Sequence, residues 1–587
     1  MPGTFNGTTL KITATPTAGA LLPDVADSSG NITNVAGITM VGDDLYCVKT
    51  SGTKTAMLKI PKYAETDSGY SVVGNLKVPY FSLGLSKIGE TLYMLAETYA
   101  GYGGTTRIIK TTTAGKKQGE YPINSIFPNG AIGIAHTGNG EEFFVLGYGA
   151  NAAPAVKRIQ ISGSQAVEKE SFTINNSGYG YTYQLQDIYY HMDYGLFLLT
   201  NDALNTGKNR ILLIDYKAGT SAYTPSAVIE VDLSASQYSQ YNLESICMKG
   251  GNLVLASNII LKNGGSEDRI SIIKGIKFAN GTYSFTCGMT EGAKVPNKDI
   301  GGITATNFGA IAMGGKTLYG IKAGSNNRYE SAAGCVAGVF TLPDYDNPKQ
   351  KTPQKIINIA PGNKEKCLYH ANGMDYYDGN LYIACGEVKD VGQNSFVKMS
   401  TDGTEFIRYL NGNNRANAIS HYRGKQFLVY TETKNQKEQS TSRAICCLLI
   451  GEFSGNTFNV SQTHYFLNTG YETIQDIFHD DNYGTFIVTC NIVNNYTQAN
   501  RVLHLTPTRR KSLTTSGGEK RNVIIPDFAF DNDGDKTKFV SFELESLALD
   551  PLTNNLIAAV NTVNLSNTNT TADGIYRFST VEFLQQN

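Results

Sequence analysis

The sequence predicts an all-β repeat chain, and three observations predict it. Short apolar runs of strand length alternate with Gly-, Asp- and Asn-rich turns along the whole chain. One strand–turn–strand pattern recurs from end to end. A second, longer period maps the front half of the chain onto the back half.

Composition agrees with this reading. Of 587 residues, 41% are hydrophobic, with 35 Tyr and 25 Phe, which is ample for a packed core and argues against disorder. Charged residues are only 17% and the formal net charge is −1, which excludes the basic footprint of a nucleic-acid binder. No apolar run approaches the ~18 residues of a membrane-spanning helix.

The first copy of the short pattern is Gly37-Ile38-Thr39-Met40-Val41-Gly42 followed by Leu45-Tyr46-Cys47-Val48. The second is Leu83-Gly84-Leu85-Ser86 with Thr91-Leu92-Tyr93-Met94. Further copies begin near Ala131, Gln186, Leu243, Ala310, Asn372, Asn417, Gln475 and Leu544. Each copy, roughly 45–70 residues, has room for four short strands. In the longer period, Gln186-Asp187-Ile188-Tyr189 returns as Gln475-Asp476-Ile477-Phe478, and Leu243-Glu244-Ser245 as Leu544-Glu545-Ser546. Thr17-Ala18-Gly19-Ala20 returns as Thr290-Glu291-Gly292-Ala293. Five units have been duplicated.

This pattern resembles the β-propeller architecture over nearly the whole chain. That resemblance implies radial sheets whose first strands line a central channel, with ligands at one mouth. The chain has no Trp, so the Trp-Asp, Kelch and aspartate-box repeats are absent in their usual form, and no family motif is carried over. Asp573-Gly574-Ile575 matches Asp268-Arg269-Ile270, and the stretch ends where the mid-chain copy runs on into Thr282-Tyr283-Ser284-Phe285-Thr286. The missing strand is expected to be Leu10-Lys11-Ile12-Thr13-Ala14. Asn280-Gly281 reads as a tight hairpin, which favours one pseudo-two-fold ring of ten blades. In that reading residues 1–16 close the ring, and 17–290 and 291–587 are its halves. Two five-bladed propellers are the alternative.

Asp187, Glu244, Asp476 and Glu545 begin channel strands, and Asn372 and Asn417 begin comparable ones. An oxygen-only set of this kind suits Ca²⁺ or Mg²⁺ and looks like the channel metal of propeller lactonases and phosphatases. The plainer reading is that the acids bond backbone N–H groups between blades. His136 and His421 fall at matching places, as general bases near those acids or as core residues bridging blades. His191 and His479 are expected at the surface. In Asp531-Asn532-Asp533-Gly534-Asp535 the glycine precedes the last acid, the wrong register for an EF-type loop, and a solvated turn is expected. Gly101-Tyr102-Gly103-Gly104 and Gly178-Tyr179-Gly180-Tyr181 are loops suited to protein or glycan contact.

Nine Cys is an odd number, and Cys446-Cys447 are adjacent, so buried free thiols are expected rather than a disulfide framework. No C-x-x-C, Walker loop, G-x-S-x-G elbow or H-E-x-x-H occurs. Met1-Pro2-Gly3-Thr4-Phe5 shows no secretory start, while the low charge points to an extracellular, periplasmic or virion-surface setting. Together these features predict a non-enzymatic scaffold recognising a protein or glycan ligand. The alternatives are a metal-dependent hydrolase using the channel carboxylates and a structural subunit of a larger assembly.

Overall fold

The computed structural model describes residues 9–27, 30–52, 54–66, 69–76, 80–98, 105–148, 154–174, 183–202, 209–232, 238–273, 276–279, 282–295, 307–323, 337–350, 353–359, 368, 371–388, 393–410, 416–494, 496–507, 509–566, 573–578 and 581–584. Every regular element among them is a β-strand. The chain divides into two compact units, Gly7–Gly281 with Leu584–Asn587, and Thr282–Phe583 with Met1–Asn6.

In the Gly7–Gly281 unit five sheets start from the innermost strands Asn34–Val41, Tyr80–Ile88, Ala131–His136, Tyr183–His191 and Tyr238–Lys249. Two-residue hairpins follow the first two of these strands, with Gly42 (φ 61°) and Gly89 (φ 59°) at the left-handed position that such turns require. Each innermost strand packs on the next, and the Tyr238 strand packs back on the Asn34 strand. Apolar side chains from both faces of each sheet fill the spaces between neighbours. Val48, Met57, Leu92 and Met94 lie between the first two sheets, and Ile38, Leu58, Val254 and Ile270 between the fifth and the first. Covered on both faces, second strands such as Asp44–Ser51 are buried almost throughout.

The strands at the front of the unit complete its later sheets. Thr17–Leu22 adds antiparallel to Ser266–Ile273 as the outer strand of the fifth sheet. Thr9–Ala14 runs parallel to Ala227–Val231 on the fourth, with Leu10 opposite Ala227 and Ala14 opposite Val231.

The Thr282–Phe583 unit repeats the plan from Asn307–Gly314, Ala371–Tyr377, Ala416–Arg423, Thr473–Asp480 and Phe539–Asp550, and its innermost strands also pack in a cycle. Met289–Lys294 adds antiparallel to Gly574–Phe578, and Thr282–Thr286 runs parallel to Phe528–Asp531. An extra hairpin, Arg510–Thr514 with Lys520–Ile524, extends the Ala416 sheet and buries Leu513 and Val523 against Ile445 and Leu467.

The sequence favoured one ring of ten; among the described residues the innermost strands of each unit pack in a cycle of five. Residues 10–14, expected to close a tenth blade, form a five-residue ladder with Ala227–Val231, and the sheet order also sets them beside Val581–Leu584. The sequence alone leaves this open because duplicated halves carry equivalent strand edges. A copy that closes on itself and a copy that closes on its twin satisfy the same pattern. Asn280-Gly281, on which the single ring leaned, lies outside the described residues.

Candidate functional site

Every innermost strand of the Gly7–Gly281 unit carries a β-bulge near its start. The register shifts between Val35 and Gly37, Ser82 and Gly84, Ala131 and Gly133, Leu185 and Asp187, and Leu243 and Ser245. The extra residues are therefore Ala36, Leu83, Ile132, Gln186 and Glu244. A bulge re-aims one side chain out of the alternation, and here all five face one cavity of about 310 Å³. Asn34, Thr50, Phe81, Tyr148, Gln184 and Asn258 are among the other residues lining it. Glu244 is its only carboxyl. Burial pushes Glu244 up to about 8, assisted by Asp268 and Asp187 and opposed by a hydrogen bond with Asn258, so this acid is mostly protonated at neutral pH.

The residue after each bulge points the other way, between sheets. Asp187 is 1% exposed. Its Oδ1 accepts from the Ile188 N–H (2.8 Å), and its Oδ2 accepts from the Ser245 hydroxyl (2.5 Å) and the Ile246 N–H (3.2 Å). Ser245 Oγ in turn accepts from the Ile38 N–H at 3.0 Å, tying the fifth sheet to the first. A Cβ on Gly133 would come within 2.8 Å of Asp187 Oδ1, so glycine there makes room for the carboxyl. Burial pushes Asp187 up to about 8 against these donors. Asp187 was expected to face the channel; it clamps backbone between sheets instead.

The second unit bulges at the equivalent places, leaving Gly309, Asn372, Asn417, Gln475 and Glu545 as the extra residues. Asp476 repeats the clamp: Oδ2 accepts from the Ser546 hydroxyl (2.5 Å) and the Leu547 N–H (3.1 Å), and Ser546 Oγ accepts from the Ile311 N–H (3.1 Å). Glu545 accepts from Asn561 Nδ2 at 2.6 Å, and its neighbour Glu543 accepts from Gln475 Nε2 at 2.6 Å. Burial raises both acids, and for Glu545 the adjacent charge of Glu543 adds to it. Asn372 is 5% exposed, and the side chain of Asn417 lies outside the described residues.

Asp187 and Asp476 are committed to backbone N–H groups, and among the described residues no three His, Cys, Asp or Glu converge to hold an ion. His136 and His421 stand at the opposite ends of their strands from the bulges. Their Nε2 atoms meet the turn carbonyls of Gly140 (2.8 Å) and Gly424 (2.9 Å), and His421 stacks on Tyr377. Neither serves as a base beside the carboxyls. His479, expected at the surface, is 9% exposed, with Nδ1 against Thr485 Oγ1 at 2.8 Å; His191 is half-buried.

The 531–535 acids are spent locally, Asp531 on Arg501 (2.6 and 2.8 Å) and Asp535 on Thr537. Both Gly–Tyr loops, 101–104 and 178–181, lie outside the described residues. The seven described cysteines are free and buried. Sequence reasoning missed Ser245, Ser546, Asn258, Asn561 and Glu543. The serines were legible, since Leu-Glu-Ser is part of the duplicated segment.

No protein-family model and no curated protein matches the chain. Among solved structures it is similar to a GH43_1 enzyme from Xanthomonas citri complexed with xylose (10% identity, 45% of this chain and 93% of that one, TM-score 0.30). It is also similar to a mutant GH32 β-fructofuranosidase of Bombyx mori in complex with sucrose (8%, 67% and 88%, TM-score 0.33). A third is an exo-1,5-α-L-arabinanase from a bovine ruminal metagenomic library (12%, 45% and 95%, TM-score 0.29). A non-enzymatic scaffold was expected, whereas the solved structures to which the chain is similar are glycosidases. At these TM-scores they lend no residue, substrate or reaction to this chain.

Proposed function

We propose that each unit is a five-bladed propeller and that the mouth cavity of Gly7–Gly281 cleaves a glycosidic bond, with Glu244 as the proton donor. One observation carries the reading: a single carboxyl, kept mostly neutral near pH 7, opens into a cavity otherwise lined by amides, hydroxyls and apolar side chains. Such a lining suits a ligand with many hydroxyls and no charge, and its volume sits at the small end of ligand pockets, about 300–1,000 Å³. A protonated carboxyl can deliver its proton to a leaving-group oxygen, which an ionised one cannot. Glycoside cleavage needs a second carboxyl. Among the described residues no second carboxyl lines the cavity; Glu97, opposite Phe81 on the neighbouring strand and half-buried at the same end of the sheet, is the one we propose for that part.

The test is turnover of a panel of aryl α- and β-glycosides by the full chain, followed against pH. The expected result is hydrolysis whose rate falls on the alkaline side with an apparent pKa near 8, as Glu244 loses its proton. Absence of turnover across the panel, or full activity in Glu244→Gln, overturns the reading.

A further inference from the structure

The 531–535 segment, expected from sequence to be a solvated turn, forms one wall of a groove of about 1020 Å³ in the Thr282–Phe583 unit. Its floor is aromatic. Phe542 meets Phe539 at 5.7 Å and Tyr576 at 5.2 Å between ring centroids. The wall is fixed in place: Gly534 adopts φ +68°, a Cβ there would overlap the Phe542 ring, and Asn532 Oδ1 accepts the Gly534 N–H at 2.8 Å. The charges on the rim cancel in pairs, Lys294 with Glu291 at 3.1 Å and Lys538 with Asp535 at 3.4 Å. No net field is left to recruit a charged ligand. Tyr576 is 6% exposed, and its hydroxyl is buried without a hydrogen-bond partner.

We propose that this groove binds a neutral oligosaccharide. Phe539, only half-buried, offers a flat apolar surface to the C–H face of a sugar, and the hydroxyls of Thr290 and Ser566 stand in the same lining. A peptide added as an extra strand is disfavoured. The Met289–Lys294 strand on this wall already gives its Ala293 and Lys294 N–H groups to Tyr345 O (2.7 Å) and Gln350 O (2.9 Å). The proposal does not rest on the chemistry assigned to Glu244.

Isothermal titration of the full chain with neutral hexasaccharides (xylo-, cello- and manno-) tests it. At least one hexasaccharide binds the wild-type chain. Thr290→Trp, which fills the groove from an exposed position, weakens that binding more than tenfold, and Phe539→Ala weakens it roughly three- to tenfold. Glu244→Gln leaves it unchanged. No binding by any hexasaccharide overturns the proposal, as does binding that survives Thr290→Trp. Binding lost in Glu244→Gln but kept in Thr290→Trp places the sugar at the other unit's mouth, which overturns the groove and leaves the glycosidase reading standing.

Discussion

The two units share a skeleton and differ at their mouths. The contacts that join Asp187 Oδ2, Ser245 Oγ and the Ile38 N–H recur between Asp476 Oδ2, Ser546 Oγ and the Ile311 N–H. A fully buried lysine bonded to a buried aspartate also appears twice, as Lys49–Asp268 and Lys322–Asp573, each at 3.0 Å. At the bulges, Leu83 and Ile132 in one unit take the register positions that Asn372 and Asn417 take in the other. The lone acid Glu244 corresponds to a Glu545 that shares its site with Glu543. The lesson is that closure of the sheets constrains the residue after each bulge, while the bulge residue itself is free to change chemistry.

The largest effects should come from breaking the duplicated skeleton. Removing one partner of a buried ion pair costs about 3–5 kcal/mol. Lys49→Met and Lys322→Met should therefore each destabilise their own unit by that amount in denaturant melts, and Lys49→Met with Asp268→Leu should recover part of it. Equal loss in single and double variants would show that the lysine contributes by packing alone. Asp187→Ala strands the Ser245 hydroxyl and the Ile188 and Ile246 N–H groups. At about 1–3 kcal/mol per unsatisfied group, a loss of about 3 kcal/mol is expected, matched by Asp476→Ala. A loss in only one unit would break the equivalence.

A further effect is set by pH. Glu244 and Asp187 are raised to about 8 and Asp268 to about 6, whereas free carboxylates titrate near 4. The folded chain therefore holds protons that the unfolded chain releases. Stability from these groups is complete below about pH 4 and is lost as pH rises toward 8. The melting temperature should fall between pH 5 and pH 9; a rise over that range would show that the donors around Asp187 outweigh its burial. The smallest effect is that of Glu244→Gln on stability, expected within about 1 kcal/mol because the amide replaces an acid already mostly neutral.

Much of the skeleton could be read from sequence. Leu-Glu-Ser and Gln-Asp-Ile recur at fixed places because the clamp needs Asp and Ser at those positions. What could not be read was the bulge. One extra residue flips every later side chain to the other face, so Gln186 and Asp187 exchange the roles that simple alternation assigns, and Glu244 and Ser245 do likewise. Ring size was hidden for a different reason. Ser245 reaches back to Ile38, and no local pattern distinguishes that contact from one made to Ile311. The cavity depends on side chains from five strands at once, which no single motif records.

If the two units, built on one skeleton, differ in chemistry as proposed, kcat/KM for aryl glycoside hydrolysis in Glu244→Gln and Glu545→Gln, with both variants confirmed as folded, separates them most directly. A loss of about 10²–10⁴-fold is expected in Glu244→Gln, the range for removing a general acid, and a rate within about twofold of wild type in Glu545→Gln. Equal losses in both variants, or a loss confined to Glu545→Gln, would contradict the proposal.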